Sequence, residues 1–412
     1  MNLNVSDQMR REHHATVVER LRSLMTEAGL DALVAMKNEN FTYINTLSSS
    51  FLGMAGMTGL AMIVVPREGT VSGVCCDFER PGLEAASMVA EWRDFPMWIY
   101  VDDQFISSDK PQTKKEKPEF FELGLSLRVL TEILKAAGLE RGRLGLEISA
   151  LQVPIWAGLQ KALPQASFTD ATTIFYTARS VKTPYEIECL RHAAKIQEKN
   201  LFGIMAEVQV GQEHAEIISR LQSRALASPG IDSIRFMFLS LGKNFAPCQA
   251  PSRARVAPGD LIKYDGALVT RGYGADAART FIVGRPSPDQ ERVNKALTMA
   301  HHEALKMMKP GAIPKDVFYR AMSVANENGL PNYLRGHIGH SVGLDQSVEE
   351  PPFMSPLNDK PLRPGNVFCV EMPYYAHNFG SIMNEDIVLI TEDGAQFLTK
   401  AERKLHPIGL AL

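Results

Sequence analysis

An α/β domain followed by an α+β domain is the fold this sequence predicts, on three observations. The chain has 412 residues, too many for one ordinary core, so two domains are expected. Residues 1–170 alternate helical and strand-like hydrophobic periods, the mark of an α/β unit. Beyond residue 184, strand-like runs come in pairs around tight turns and are separated by long helices, which predicts an α+β arrangement. The expected division is 1–175 and 176–412.

In the first domain, Gln8 to Ala28 carries Val17, Val18, Leu21, Leu24 and Met25 at helical spacing and stops at Gly29, a residue suited to the position after a helix. Strands are expected at Asp31–Met36, Gly59–Pro66, Thr70–Cys76 and Arg143–Ile148, with helices at Leu127–Ala137 and Pro154–Ala162. The charged stretch between Asp102 and Glu119, rich in Lys and Pro, predicts a loop or lid. In the second domain Pro184 stands where the first turn of a helix tolerates proline. Helices follow to about Val208 and over 213–226, 288–308 and 315–328, with strand pairs around 233–241, 261–283 and 367–391.

Composition narrows the function classes. A net charge of -3 gives no electrostatic reason to expect a nucleic-acid partner. The longest apolar run, Gly59–Val65, falls far short of the ~20 residues that span a bilayer, so no membrane partner is expected. Met1 to His14 shows no secretory pattern, which makes cytoplasm the expected compartment. Cys75, Cys76, Cys189, Cys248 and Cys369 show no paired spacing and read, Cys248 excepted, as small buried hydrophobes.

The chemistry lies in acids placed inside apolar strands. Asp265 and Asp276 sit in two β-prone runs punctuated by Gly266, Gly272 and Gly274. A two-residue turn at Thr270–Arg271 would pair 269 with 272 and 265 with 276, leaving the carboxylates about 5 Å apart at Cβ. On this hairpin alone, two exposed turn acids explain the pair equally well. A second pair, Glu371 and Glu385, interrupts the apolar runs Val367–Val370 and Ile387–Ile390, with Asn378-Phe-Gly380 as the turn. Acids in such runs are rarely buried unless paired or metal-bound. Between the hairpins lies Arg335-Gly-His337-Ile-Gly-His340-Ser-Val-Gly343. Four carboxylates and an imidazole suit Mn²⁺, Fe²⁺, Co²⁺ or Zn²⁺.

The order Asp265, Asp276, Gly-His340 followed by Gly343-Leu, Glu371-x-Pro and Glu385-Asp386 resembles the methionine aminopeptidase–prolidase–creatinase family. Arg179-Ser-Val-Lys-Thr-Pro-Tyr-Glu186, Arg279-Thr-Phe, Lys309-Pro-Gly311 and Arg363-Pro-Gly365 resemble its supporting segments. The resemblance implies a creatinase/prolidase-like α/β N-terminal domain and a "pita-bread" α+β catalytic domain. It further implies a cytoplasmic hydrolase with two divalent transition-metal ions, Asp265 on one, His340 and Glu371 on the other, Asp276 and Glu385 bridging. Glu371 then takes the proton of the attacking water. The activity implied is that of an Xaa-Pro dipeptidase or aminopeptidase on a dipeptide-sized substrate, as a homodimer in which the 102–119 stretch approaches the partner's site.

Three departures from the family pattern bear on substrate. Asn244-Phe-Ala-Pro-Cys248-Gln249 replaces a segment carrying a substrate histidine. Val348-Glu349-Glu350 replaces Val-His-Glu with two extra residues before it, or Ser347 takes that slot without an insertion. Met383 stands where the family has arginine. These changes remove donors for a peptide carboxylate and oxyanion, which keeps open a creatinase-, ectoine-hydrolase- or sulfoniopropionate-lyase-like small-molecule activity. A metal-free binding scaffold is a third reading, disfavoured by retention of all five ligands. His337 is either a proton donor or a structural imidazole, Glu349 either a proton donor or a solvated loop acid, and Cys248 either pocket lining or filler.

Overall fold

The computed structural model describes residues 3–101, 116–243 and 253–409. It divides into two compact units between Arg179 and Ser180. Among the described residues no helix is long and apolar enough to cross a membrane. Cys248 and most of the 102–119 stretch lie outside the described residues.

The first unit is built on a six-stranded sheet. Its strands are β1 (Ala32–Ala35), β2 (Met62–Pro66), β3 (Ser72–Cys76), β4 (Glu91–Phe95), β5 (Arg143–Leu146) and β6 (Ser167–Asp170), in the order β4-β3-β2-β1-β5-β6. The apolar β1, β2 and β3 are buried along their whole length, which is why their hydrophobic runs are continuous rather than alternating. Helix Asp7–Ala28 begins at Ser6, whose side chain accepts from the Met9 N–H, and ends on Gly29 at φ 66. The sequence reading misses β4 and β6. Both are edge strands carrying Glu91, Arg93 and Asp94 in one and mostly exposed polar residues in the other. Pairing with β3 and β5, rather than an apolar pattern, makes them strands.

The second unit carries the candidate site on a nine-stranded, mostly antiparallel sheet. Its strands are β7 (Ser233–Leu241), β8 (Leu261–Thr270), β9 (Tyr273–Val283), β10 (Gly339–Ser341), β11 (Glu350–Phe353), β12 (Val367–Glu371), β15 (Glu385–Thr391), β16 (Gly394–Phe397) and β17 (His406–Ile408), with a separate hairpin of β13 (Tyr374–Ala376) and β14 (Gly380–Ile382). The main path runs β11-β10-β12-β15-β9-β8-β7. Helix Pro184–Met205 opens with a reciprocal capping box between Thr183 and Glu186, which satisfies two of the orphan N–H groups of its first turn. It packs with His214–Leu226 against β7, β8 and β9, while Pro288–Met307 and Pro314–Glu327 form a second core with Phe368, Val370, Val388 and Ile390. The two cores hold the strands in register.

That register corrects one expectation. The β8–β9 turn falls one residue later than expected, at Arg271–Gly272, with Thr270 opposite Tyr273. Arg271 and Gly272 both have positive φ, 53° and 84°, as a tight hairpin turn with the right-handed strand twist requires. Asp276 therefore faces Ala267 and Asp265 faces Ala278. The two aspartates are diagonal neighbours on one face, not direct partners.

Candidate metal centre

Direct partners in an antiparallel sheet project to the same face. Glu371 pairs with Glu385, Glu385 with Ala278, and Ala278 with Asp265. Three of the four acids thus stand in one row across four strands. Asp276, two residues before Ala278, shares the face. His340 enters from β10, opposite Cys369, itself two residues before Glu371. All five expected ligands line one cavity of about 250 Å³, together with Arg235, Phe236, Phe238, Gln346, Ser347, Glu349 and Met383.

Electrostatics show what this arrangement lacks. Asp276 and Glu385 are 4% and 1% exposed, and Asp276 Oδ1 and Glu385 Oε2 find no hydrogen-bond partner among the described residues. His340 Nε2 lies 3.6 Å from Glu385 Oε1 and 3.8 Å from Asp276 Oδ2. Burial, then Glu385, Asp265 and Glu371, push the Asp276 carboxyl well above its ordinary range. Burial also raises Glu385 to about 8, with Asp265 and Glu371 adding to the rise and His340 opposing it. Burial disfavours the His340 imidazolium, yet the adjacent Glu385 carboxylate carries it up to about 9. Buried acids with orphaned oxygens, beside an imidazole, fit divalent cations: a cation would discharge the repulsion and take the free lone pairs.

The outer ligands have partners of their own. Arg335 Nη2 lies 3.0 Å and His337 Nδ1 3.5 Å from Glu371 Oε1. Glu349 reaches His337 Nε2 at 3.4 Å, and this hydrogen bond holds its carboxyl below the ordinary range. Lys263 Nζ sits 3.0 Å from Asp265 Oδ2 and 5.6 Å from the Tyr375 ring centre.

The loop carrying Glu349 is fixed from beneath. Lys182 Nζ and Glu350 Oε1, each side chain 1% exposed, meet at 2.7 Å. The Arg235 guanidinium donates to the carbonyls of Gly272, Gly343 and Asp345. Ser347 Oγ donates to Asp345 Oδ1 and to the Glu349 carbonyl. Ser347 and Glu349 both line the cavity, and of the two it is Glu349 that reaches His337. Met383 lines the wall, its sulfur 3.5 Å from the Tyr375 hydroxyl and its N–H donating to Thr280 Oγ1.

On the reverse face of the sheet, Arg279 donates to Asp386 Oδ1 at 2.6 Å and to the main-chain carbonyls of Ala278, Glu385 and Ala401. Thr399 and Arg403 add bonds to the same carboxylate. Burial works against the Asp386 charge, but Arg279, His301 and Arg403 pull it down to about 2. This network ties β9 to β15 directly behind the acids.

The sequence reading gave no role to Arg335, Lys263, Cys369 or Tyr375. Lys263 had a usable signal: a charge inside an apolar strand two residues from Asp265, the same criterion that singled out Glu371. Arg335 and Tyr375 lie outside any periodic strand run next to their partners, so only the fold brings them to the site.

Comparison with known proteins agrees with the two-domain fold. Residues 188–392 match the metallopeptidase family M24 and residues 18–181 the Creatinase/Prolidase N-terminal domain. The Xaa-Pro dipeptidase of Pyrococcus horikoshii is 24% identical over 392 residues, covering 94% of this chain and 98% of that protein. The Xaa-Pro dipeptidase of Pyrococcus furiosus is 30% identical over 231 residues, 55% of this chain and 65% of that protein. The solved structure of an Xaa-Pro dipeptidase from Bacillus anthracis superposes with a TM-score of 0.80 at 20% identity, covering 96% of this chain and 100% of that one.

Proposed function

The chain belongs to metallopeptidase family M24, with a Creatinase/Prolidase N-terminal domain, and from that premise we propose that it hydrolyses a peptide or amide C–N bond in a dipeptide-sized substrate. The reading rests on one observation above all: Asp265, Asp276, His340, Glu371 and Glu385 converge on one cavity, with buried oxygens of Asp276 and Glu385 left unpartnered among the described residues. Two divalent ions drawn from Mn²⁺, Co²⁺, Fe²⁺ or Zn²⁺ suit this oxygen/nitrogen set. Asp265 would hold one, His340 and Glu371 the other, and Asp276 and Glu385 would serve both. Bound there, the ions would acidify a water and polarise the scissile carbonyl.

The chain's own groups supply the proton path. Glu371 accepts the proton of the attacking water, its carboxylate oriented by Arg335. His337, between Glu371 and Glu349, passes a proton toward the departing nitrogen. Glu349 holds the imidazole in place from the cavity rim. The cavity is smaller than those of drug-sized ligands, which favours a short substrate such as an Xaa-Pro dipeptide, the class named for the relatives.

A second reading, hydrolysis or lysis of a small non-peptide metabolite, is favoured by the cavity's acidic lining. Glu349 and Met383 stand there, and the Arg235 guanidinium is engaged with three carbonyls. Metal analysis and a substrate panel decide between these. About two equivalents of transition metal, with Xaa-Pro dipeptides turned over at ordinary enzyme rates of about 10 s⁻¹ or more, support the dipeptidase. Metal with turnover only of cyclic amides or guanidino compounds supports the second reading. Absence of bound metal overturns both.

A further inference from the structure

We infer that Cys369 is a sulfur donor to the cation held by Asp276, His340 and Glu385, which makes this centre prefer Zn²⁺ and Co²⁺ to Mn²⁺. The inference deepens the metallohydrolase reading and rests on it.

The fold places the thiol among the ligands. Cys369 is the direct cross-strand partner of His340 and lies two residues before Glu371 on β12, so its side chain shares the face that carries the acids. One ligand atom from each of Asp276, His340, Cys369 and Glu385 lies within 4.8 Å of the other three, and all four residues are buried. Asp265 and Glu371 stand outside that tight group. They reach the same cavity from its edge, 3.0 Å from Lys263 and Arg335 respectively.

A buried cysteine is ordinarily filler, and one observation separates Cys369 from that reading. Among the described residues Asp276 Oδ1 and Glu385 Oε2 are unpartnered although their residues are more than nine-tenths buried, so the group around the thiol suits a cation. The thiol makes its hydrogen bond to the Asp276 carbonyl, 3.3 Å away, a weak contact that ties it to the ligand strand. By contrast Cys75, Cys76 and Cys189 are buried free cysteines outside this cluster.

The chemistry of the donor set sets the preference. Carboxylates alone suit Mn²⁺, imidazole suits Zn²⁺ and Co²⁺, and a thiolate shifts a mixed site further toward the softer ions. On binding, the cation displaces the thiol proton, which leaves to solvent.

The test uses full-length protein stripped of metal and reloaded without oxygen. Co²⁺ added to the wild type should bring up an intense near-ultraviolet sulfur-to-cobalt charge-transfer band. Cys369→Ala should still bind Co²⁺ through the remaining ligands but lack the band. It should also lose about tenfold or more in affinity for Cd²⁺ while its Mn²⁺ affinity stays within about threefold. Cobalt bound to the wild type without the band, or a band surviving in Cys369→Ala, overturns the inference. X-ray absorption at the zinc edge of wild-type protein needs no variant: a sulfur neighbour at about 2.3 Å supports it, and a shell of only nitrogen and oxygen overturns it. Metal bound without sulfur sinks this inference alone; no metal bound sinks the metallohydrolase reading as well.

Discussion

Glu371 on β12 and Glu385 on β15 stand directly opposite one another in the sheet, yet they face different partners. Glu371 meets Arg335 at 3.0 Å, and Glu385 meets His340 at 3.6 Å. Like charges directly opposed across strands destabilise a sheet, and burial deepens the cost. The register therefore makes sense only with positive charge supplied to the row. Arginine and histidine provide part of it, and divalent cations would provide the rest.

Asp276 lies near His340 and is raised by burial and by four neighbouring carboxylates. Asp276→Ala should strip most bound metal and lower kcat/KM by roughly three orders of magnitude, since groups acting as a unit fail together. The first unit should keep its fold. Unchanged metal content by elemental analysis would remove Asp276 from the ligand set.

His337 and Glu349 offer a sharper dissection. His337→Gln should lower kcat by about 10–100-fold, the range for groups that orient a metal site, with metal content near wild type. Glu349→Gln should act in the same direction and add little to the His337 variant, because the two side chains touch and contacting residues are not additive. Fully additive losses in the double mutant would show that they do not work as a relay.

Stability of the metal-free protein should depend on pH with a defined sign. Glu385 rises from 4.5 to about 8 and His340 from 6.5 to about 9 on folding. Groups raised in the folded state contribute stability that is complete below the unfolded values and is lost as pH climbs through the folded ones. Tm measured with chelator should therefore fall as pH rises from about 4.5 to about 9. Saturating divalent cation should flatten that fall, because ligation favours the deprotonated donors. A chelated protein whose Tm climbs over this interval would contradict the assignment.

Asp386 tests the reverse side of the sheet. It is fully buried between Arg279 and Arg403, and Asp386→Asn would leave Arg403 without its counter-charge and Arg279 with only the 3.6 Å contact to Glu198. A loss of about 3–5 kcal/mol is expected, as for breaking a buried pair, visible in a denaturant midpoint. A shift below about 1 kcal/mol would mean that the strands are held by packing alone.

We propose a homodimer on the basis of the family resemblance. Light scattering should return twice the 45.6 kDa chain mass. A monomer reading at micromolar concentration would discard it.

How much of this was legible beforehand follows from physical scale. Hydrophobic period and capping residues act within a few positions, so the long helices, the apolar strands and the acids at 265, 276, 371 and 385 could be read from the chain itself. The edge strand β4 could not, because its charged residues become a strand only through pairing with β3. Nor could the hairpin register: moving the turn by one residue shifts every cross-strand pairing, and only the packed sheet decides where it closes. The same holds for the partners of each acid. Lys263 and Cys369 lie two residues from a ligand and shared its face from the start, but Arg335, His337, Glu349 and Tyr375 reach the site from separate segments whose spacing along the chain says nothing about distance. The sequence alone determined which residue types the centre uses and which strands carry them. Tertiary structure decided which oxygens find a partner and which are left bare, because hydrogen bonding and burial are set by neighbours brought together across the whole domain.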